Sequence, residues 1–191
     1  MQSCETEIVL DNDIKARLSF LAGREMLERY SARTPSARNL LDEQELWHEV
    51  RQSMSLAIVR HNEIASEALF GSYSEIPPVL TVWEASRRVF CGLDKSLMIL
   101  DWERPSVDCR RLDWPFLGFV WSSNKELLLC VEELGLKCFD QTAKMIWDVG
   151  TAEIIEHVEI SGDIVKVSEL SRPNPYTLDL RTGKLSAEDN A

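Results

Sequence analysis

The chain has 191 residues, 45% hydrophobic and 28% charged, with a formal net charge of −11. A chain of this length buries a core without disulfide or metal staples, and no run approaches the roughly 20 apolar residues that a membrane-spanning helix needs. The acid excess repels phosphate backbones and anionic lipid, which argues against nucleic acid and membrane as partners and favours a protein partner, a basic one first.

Acids outnumber bases 12 to 8 over residues 1–72 and 20 to 13 over residues 73–191, so the acidity belongs to the whole chain. Its plainest use is solubility. The opening residues, Met1 to Asp13, carry acids and no basic stretch, so no secretory leader is expected. Cys4, Cys91, Cys109, Cys130 and Cys138 are odd in number and form no C-x-x-C motif. They are expected as reduced, mostly buried thiols, and the location as cytoplasmic.

Residues 12–30 predict a helix, with Ile14, Leu18, Leu21 and Leu27 near one face and Asn12 as N-cap. Pro35 marks a loop around residues 31–38. A longer helix is expected over about residues 42–70. Asp42 and Glu45 resemble a capping box, Gly71 suits the position after the last turn, and Leu46, Val50, Met54, Ala57, Ile58, Ala65, Leu69 and Phe70 recur at three- and four-residue steps. Ser55 to Val59 is the stretch that can instead begin a strand.

From Pro77 the pattern shortens to apolar or alternating runs separated by turn residues, and a gapless 39-residue repeat emerges. Asp101, Asp140 and Asp179 are one repeat apart, as are Leu100, Phe139 and Leu178, and Val89, Leu128 and Val167. Leu80, Phe119 and Val158 keep the interval, as do Val82, Trp121 and Ile160. Strands are predicted near 79–84, 87–93, 96–102 and 107–112, near 117–122, 125–131, 135–140 and 143–149, and near 153–160, 163–169, 175–180 and 183–187. Residues 41–73 match this repeat poorly and are not expected to add a fourth copy.

The third copy, with Ser161-Gly162-Asp163-Ile164-Val165-Lys166-Val167 and then Tyr176-Thr177-Leu178-Asp179-Leu180-Arg181-Thr182-Gly183-Lys184, resembles the blades of pyrroloquinoline-quinone-type and WD-like β-propellers. The second copy matches through Gly135 to Thr142, with Trp147 where that family often carries tryptophan. The resemblance covers about residues 75–188 and implies blade architecture only. No quinone or calcium ligand of those enzymes is matched.

The expected fold is therefore mainly β with N-terminal helices. A helical segment (1–74) is joined to a β body (75–191) of three four-stranded antiparallel units, with copies at 75–113, 114–152 and 153–191. All of it forms one compact unit, as an incomplete or helix-covered ring. A β-sandwich or open barrel with helices is the alternative.

The three aspartates follow an inward residue and precede a turn, so each is expected to accept backbone N–H groups as an Asx-turn. His48, His61 and His157 are dispersed, with no metal-ligand spacing. No G-x-S-x-G, G-x-G-x-x-G or Walker loop occurs, and no catalytic, cofactor-binding or metal residue is assigned. Of six tryptophans, Trp102 and Trp114 adjoin turns and are expected as exposed interface anchors with Arg104, Arg88 and Arg111. The expected function is non-enzymatic protein binding, as a scaffold or an immunity-type inhibitor, with self-association as a further option. The alternative is a small-molecule sensor or enzyme with a pocket where helices meet the β body.

Overall fold

The computed structural model describes residues 5–21, 37–39, 51–74, 76–104 and 106–186. Among them the fold is all-β, relieved by one three-residue 3-10 turn at Glu84–Ser86. The expected helices are overturned wherever they fall on described residues. In their place stand β1 (Glu5–Asp11), β2 (Ile14–Leu21), β4 (Gln52–Arg60) and β5 (Glu63–Ser72), with the short β3 (Ala37–Asn39) between β2 and β4. The Asp42–Glu45 cap, Leu46 and Val50 lie outside the described residues.

The physical reason is a period of two running under the apparent period of 3.6. Ala16 and Leu18 face a core while Lys15, Arg17 and Ser19 alternate with them. Met54, Leu56 and Ile58 share that core, alternating with Ser53, Ser55 and Ala57. Both faces of β4 are buried, so the polar alternation that advertises a strand is muted. His61 and Asn62 then both adopt positive φ, 52° and 65°, and turn β4 tightly into β5. That is the conformation of a two-residue hairpin turn whose twist matches the strands. Asn12 is likewise a hairpin-turn residue between β1 and β2, and Gly71 lies in β5 opposite Ser53.

The sheet so formed has the order β1-β2-β4-β5-β3, antiparallel except that β3 runs parallel to β5. Thus a sheet does precede the three repeats, although residues 51–72 do not carry their signature.

The second sheet comprises β6 (Val79–Trp83), β7 (Arg88–Leu93), β8 (Ser96–Asp101) and β9 (Ser106–Arg111) in sequential order. The third comprises β10 (Phe116–Trp121), β11 (Leu127–Glu132), β12 (Gly135–Asp140) and β13 (Met145–Gly150), again sequential. The last has β14 (Ile155–Ser161), β15 (Ile164–Glu169) and β16 (Tyr176–Asp179), and a single bridge between Leu178 and Leu185 marks the place of its fourth strand.

The repeated residues do equivalent work. Val89 faces Leu100, and Leu128 faces Phe139, all fully buried. Asp101 faces Arg88 and Asp140 faces Leu127. In the third copy the register slips, so Asp179 faces Ile164 rather than Lys166, its counterpart under the repeat. The longer connection over residues 170–175, with Pro173 and Pro175, absorbs the slip.

The chain divides into two compact units, residues 1–110 and 111–191. Within the first, Ala16, Leu18, Met54, Leu56, Ile58, Ala68 and Phe70 pack against Val89, Cys91, Met98, Leu100 and Trp102. Within the second, Leu127, Leu129, Val131, Leu136, Cys138 and Trp147 pack against Val158, Val165, Val167, Tyr176, Leu178 and Leu180. Each unit is thus a pair of sheets around its own core.

Candidate functional site

The turn aspartates behave as a set. Asp101 Oδ1 accepts from the N–H groups of Glu103 and Arg104, both at 2.9 Å. Asp140 Oδ1 accepts from Thr142 N–H at 2.8 Å, Thr142 Oγ1 at 2.6 Å and Lys144 N–H at 3.1 Å. Asp179 Oδ1 accepts from Arg181 N–H at 3.1 Å and from the N–H and hydroxyl of Thr182, both at 2.8 Å. The Thr182 hydroxyl and neighbouring N–H groups hold Asp179 below the usual carboxylate range. Burial pushes Asp140 upward, but its bonds from Thr142 and Lys144 outweigh that and hold it low as well. One oxygen of each carboxylate, Oδ1, is thus committed to its own turn, as the Asx-turn expectation has it.

Turn closure also corrects one expected anchor. With Asp101 capping Glu103 and Arg104, the Trp102 ring folds inward and is 1% exposed. Its carbonyl accepts from Arg60. Arg88 is tied to Asp101 at 3.4 Å and donates to the Ser86 carbonyl at 3.2 Å. Arg104 remains exposed on its turn, as does Arg111 at the end of β9. Trp102, Arg104 and Arg88 belong to the first unit, Trp114 and Arg111 to the second, so the five do not form one site within either unit.

Trp114 is 42% exposed. Its backbone N–H donates to Glu132 Oε2 at 2.8 Å, and its ring edge lies 3.9 Å from where a Cβ on Gly135 would sit. Beside it lies an ionic cluster that sequence reasoning missed. Lys137, on the inner strand β12, has a side chain only 8% exposed, and its Nζ lies 2.6 Å from Asp113 Oδ2, 2.6 Å from Asp148 Oδ2 and 3.3 Å from Glu132 Oε1. Burial alone lowers a lysine, but here the two hydrogen-bonded carboxylates and the attraction of Glu132 win and hold Lys137 above its ordinary value. Glu132 is 1% exposed, whereas Asp113 and Asp148 are 70% and 42% exposed at their side chains. The signal for this cluster was a lone lysine in the apolar run Gly135–Asp140, since Asp148 faces Lys137 directly across the β12–β13 ladder.

The loops around Trp114 are joined in series by backbone hydrogen bonds. Glu133 N–H donates to the Pro115 carbonyl at 2.8 Å, Ile155 N–H to Glu133 at 2.8 Å, Thr151 N–H to Leu134 at 3.1 Å and Leu170 N–H to Ile154 at 2.9 Å. Three of these loops each carry an exposed large apolar side chain, Trp114, Ile154 at 44% and Leu170 at 59%. Asp113 and Glu153 are exposed on them, and Glu156 is exposed at the start of β14.

The thiols show no such organisation. Burial pushes Cys91 and Cys130 well above a free thiol and Cys138 up to about 12, so all three stay protonated and inert. Cys130 and Cys138 do not face one another, because Cys130 pairs with Lys137 and Cys138 with Leu129. His61 is an exposed turn residue 3.8 Å from Asp13, and His157 is exposed on β14. His48 and Cys4 lie outside the described residues. Among the described residues no helix is long and apolar enough to cross a membrane.

No protein-family model matches the chain. No curated protein matches it either. Solved structures do match, among them β-propeller proteins. Sqt1 of Saccharomyces cerevisiae is 12% identical over 76% of this chain and 46% of its own, with a TM-score of 0.48. AztD of Citrobacter koseri is 12% identical over 80% and 45%, with a TM-score of 0.48. BamB of Moraxella catarrhalis is 11% identical over 69% and 42%, with a TM-score of 0.44. The chain spans a little under half the length of these three structures.

Proposed function

We propose that this chain is a propeller-like protein-binding module that acts stoichiometrically, as a scaffold or an inhibitor, without catalysis of its own. The observation that carries this is the loop end of the second unit, where Trp114, Ile154 and Leu170 stand 42%, 44% and 59% exposed on loops bonded one to the next. Large apolar side chains grouped at the surface mark interaction sites, and tryptophan leads the residues that dominate binding energy. The framework beneath them is rigid, because the Lys137 cluster ties β11, β12 and β13 to the 113–114 loop.

The test is affinity capture with the full chain, followed by mass measurement of the complex. One partner in fixed stoichiometry is expected with the wild type. It is lost with Trp114→Ala and kept with Val9→Ala, a change at a 70% exposed residue of the other unit. A partner retained equally by both variants places binding elsewhere and refutes the proposal.

A further inference from the structure

We infer that the loop end of the second unit receives an arginine-bearing apolar segment of its partner, the guanidinium lying against the Trp114 indole and the Asp113–Asp148 carboxylates. This rests on the interaction-module proposal above and adds the chemistry of the occupant.

Charge decides first. Three carboxylates, Glu132, Asp113 and Asp148, converge on the single ammonium of Lys137, so the cluster keeps an excess of negative charge. The two members that reach solvent are both acidic, while the cation is the buried one. An approaching partner therefore meets carboxylate, and exposed Glu153 on the next loop and Glu156 at the start of β14 add the same sign, outnumbering with Asp113 and Asp148 the exposed bases Arg111 and Arg172 of the neighbouring segments. An acidic segment is repelled here and a basic one is drawn in.

Geometry then favours arginine over lysine. Both exposed carboxylates accept from one nitrogen at 2.6 Å, so they converge on one point, and Asp113 immediately precedes Trp114 in the chain. A guanidinium is planar, carries several donors in a fixed fork and stacks on aromatic faces, whereas an ammonium is a hydrated point charge. Ile154 and Leu170 supply the apolar ground for the residues flanking that arginine. Lys137 holds the carboxylates in place before the partner arrives, so little ordering remains to be done on binding.

The experiment titrates the full 191-residue chain with the peptide acetyl-Gly-Leu-Arg-Leu-Gly-amide and with versions carrying Lys, Glu or Ala in place of Arg. The readout is the Trp114 indole N–H resonance, assigned by its absence in Trp114→Phe. The Arg peptide is expected to shift that resonance saturably and more tightly than the Lys peptide, while the Glu and Ala peptides leave it unmoved. Affinity falls as salt is raised, and it drops about tenfold in Asp148→Asn and in Asp113→Asn. Asp113 is the safer change for folding, being 70% exposed. Equal shifts from the Glu and Arg peptides, or unchanged affinity in both variants, overturn the inference. If no peptide binds while Trp114→Ala still loses the partner in the capture experiment, the face stands and the arginine assignment falls. If Trp114→Ala keeps the partner, the underlying proposal falls with it.

Discussion

Lys137 shows how one side chain can organise a sheet end. Transferring an ammonium from water into a strand core is unfavourable unless carboxylates travel with it, and once paired each partner depends on the other. Lys137→Met leaves Glu132, 1% exposed, as a buried charge without its cation. We expect a loss of about 3 kcal/mol in urea unfolding. Adding Glu132→Gln should restore a substantial part of it, and a double variant no better than the single one would show that the methionine side chain misfits for steric reasons. The sign of the pH effect follows from the raised value of Lys137. Its contribution is complete below the ordinary lysine value of about 10.4 and is lost only as pH climbs through the higher folded value. Asp140 works in the opposite sense, since its folded value is depressed. Its contribution is present above the ordinary aspartate value of about 3.9 and disappears as pH falls through the folded value. Asp140→Asn should therefore flatten the acid limb of the stability curve, and an unchanged limb would assign acid unfolding to other carboxylates.

At the scale of elements, turns decide what strands become. His61 and Asn62 hold left-handed angles that most side chains resist, and Asn-Gly is the favoured pair for such a turn. The double change His61→Asn/Asn62→Gly should stabilise by about 0.5–1 kcal/mol and raise the melting temperature. A fall would mean that the His61–Asp13 contact, 3.8 Å at the surface, matters more than such pairs usually do. The same turn explains where the sequence was hard to read. In the repeats, Asp-plus-threonine turns and short two-residue hairpins announce themselves, and predicted strands such as 135–140 fall on β12 to the residue. In β4 and β5 the turn pair His-Asn is an uncommon one, and serine and alanine on the second buried face mimic helical spacing. The N-terminal sheet was hidden for that reason. Of the candidate site, Trp114 was legible from its place beside Pro115. The Lys137 cluster was not, because its four members come from separate segments, three neighbouring strands and the loop that carries Asp113, that only the folded sheet brings together. Trp102 misled because a residue next to a turn can still send its ring inward once the turn is capped by Asp101.

For the whole molecule, the question is whether its two cores open together or apart. The first is built from residues of the 1–110 unit and the second from residues of the 111–191 unit. Trp147 is the keystone of the second, its Nε1–H donating to the Leu180 carbonyl at 2.8 Å while its ring lies under Gly183. Gly183 sits at φ +68°, and a Cβ there would fall 2.8 Å from the indole. Gly183→Ala therefore combines an unfavourable left-handed alanine with a clash against a ring that has little room to retreat, and about 2 kcal/mol of destabilisation is expected. If opening is sub-global, amide hydrogen exchange should accelerate in β11, β12, β15 and β16 by more than tenfold, roughly as that free energy dictates. Amides of β4, β5, β7 and β8 should keep their wild-type protection, because their partners and their core are untouched. Acceleration by one common factor across all eight strands would mean that the two sheet pairs unfold as a single cooperative body.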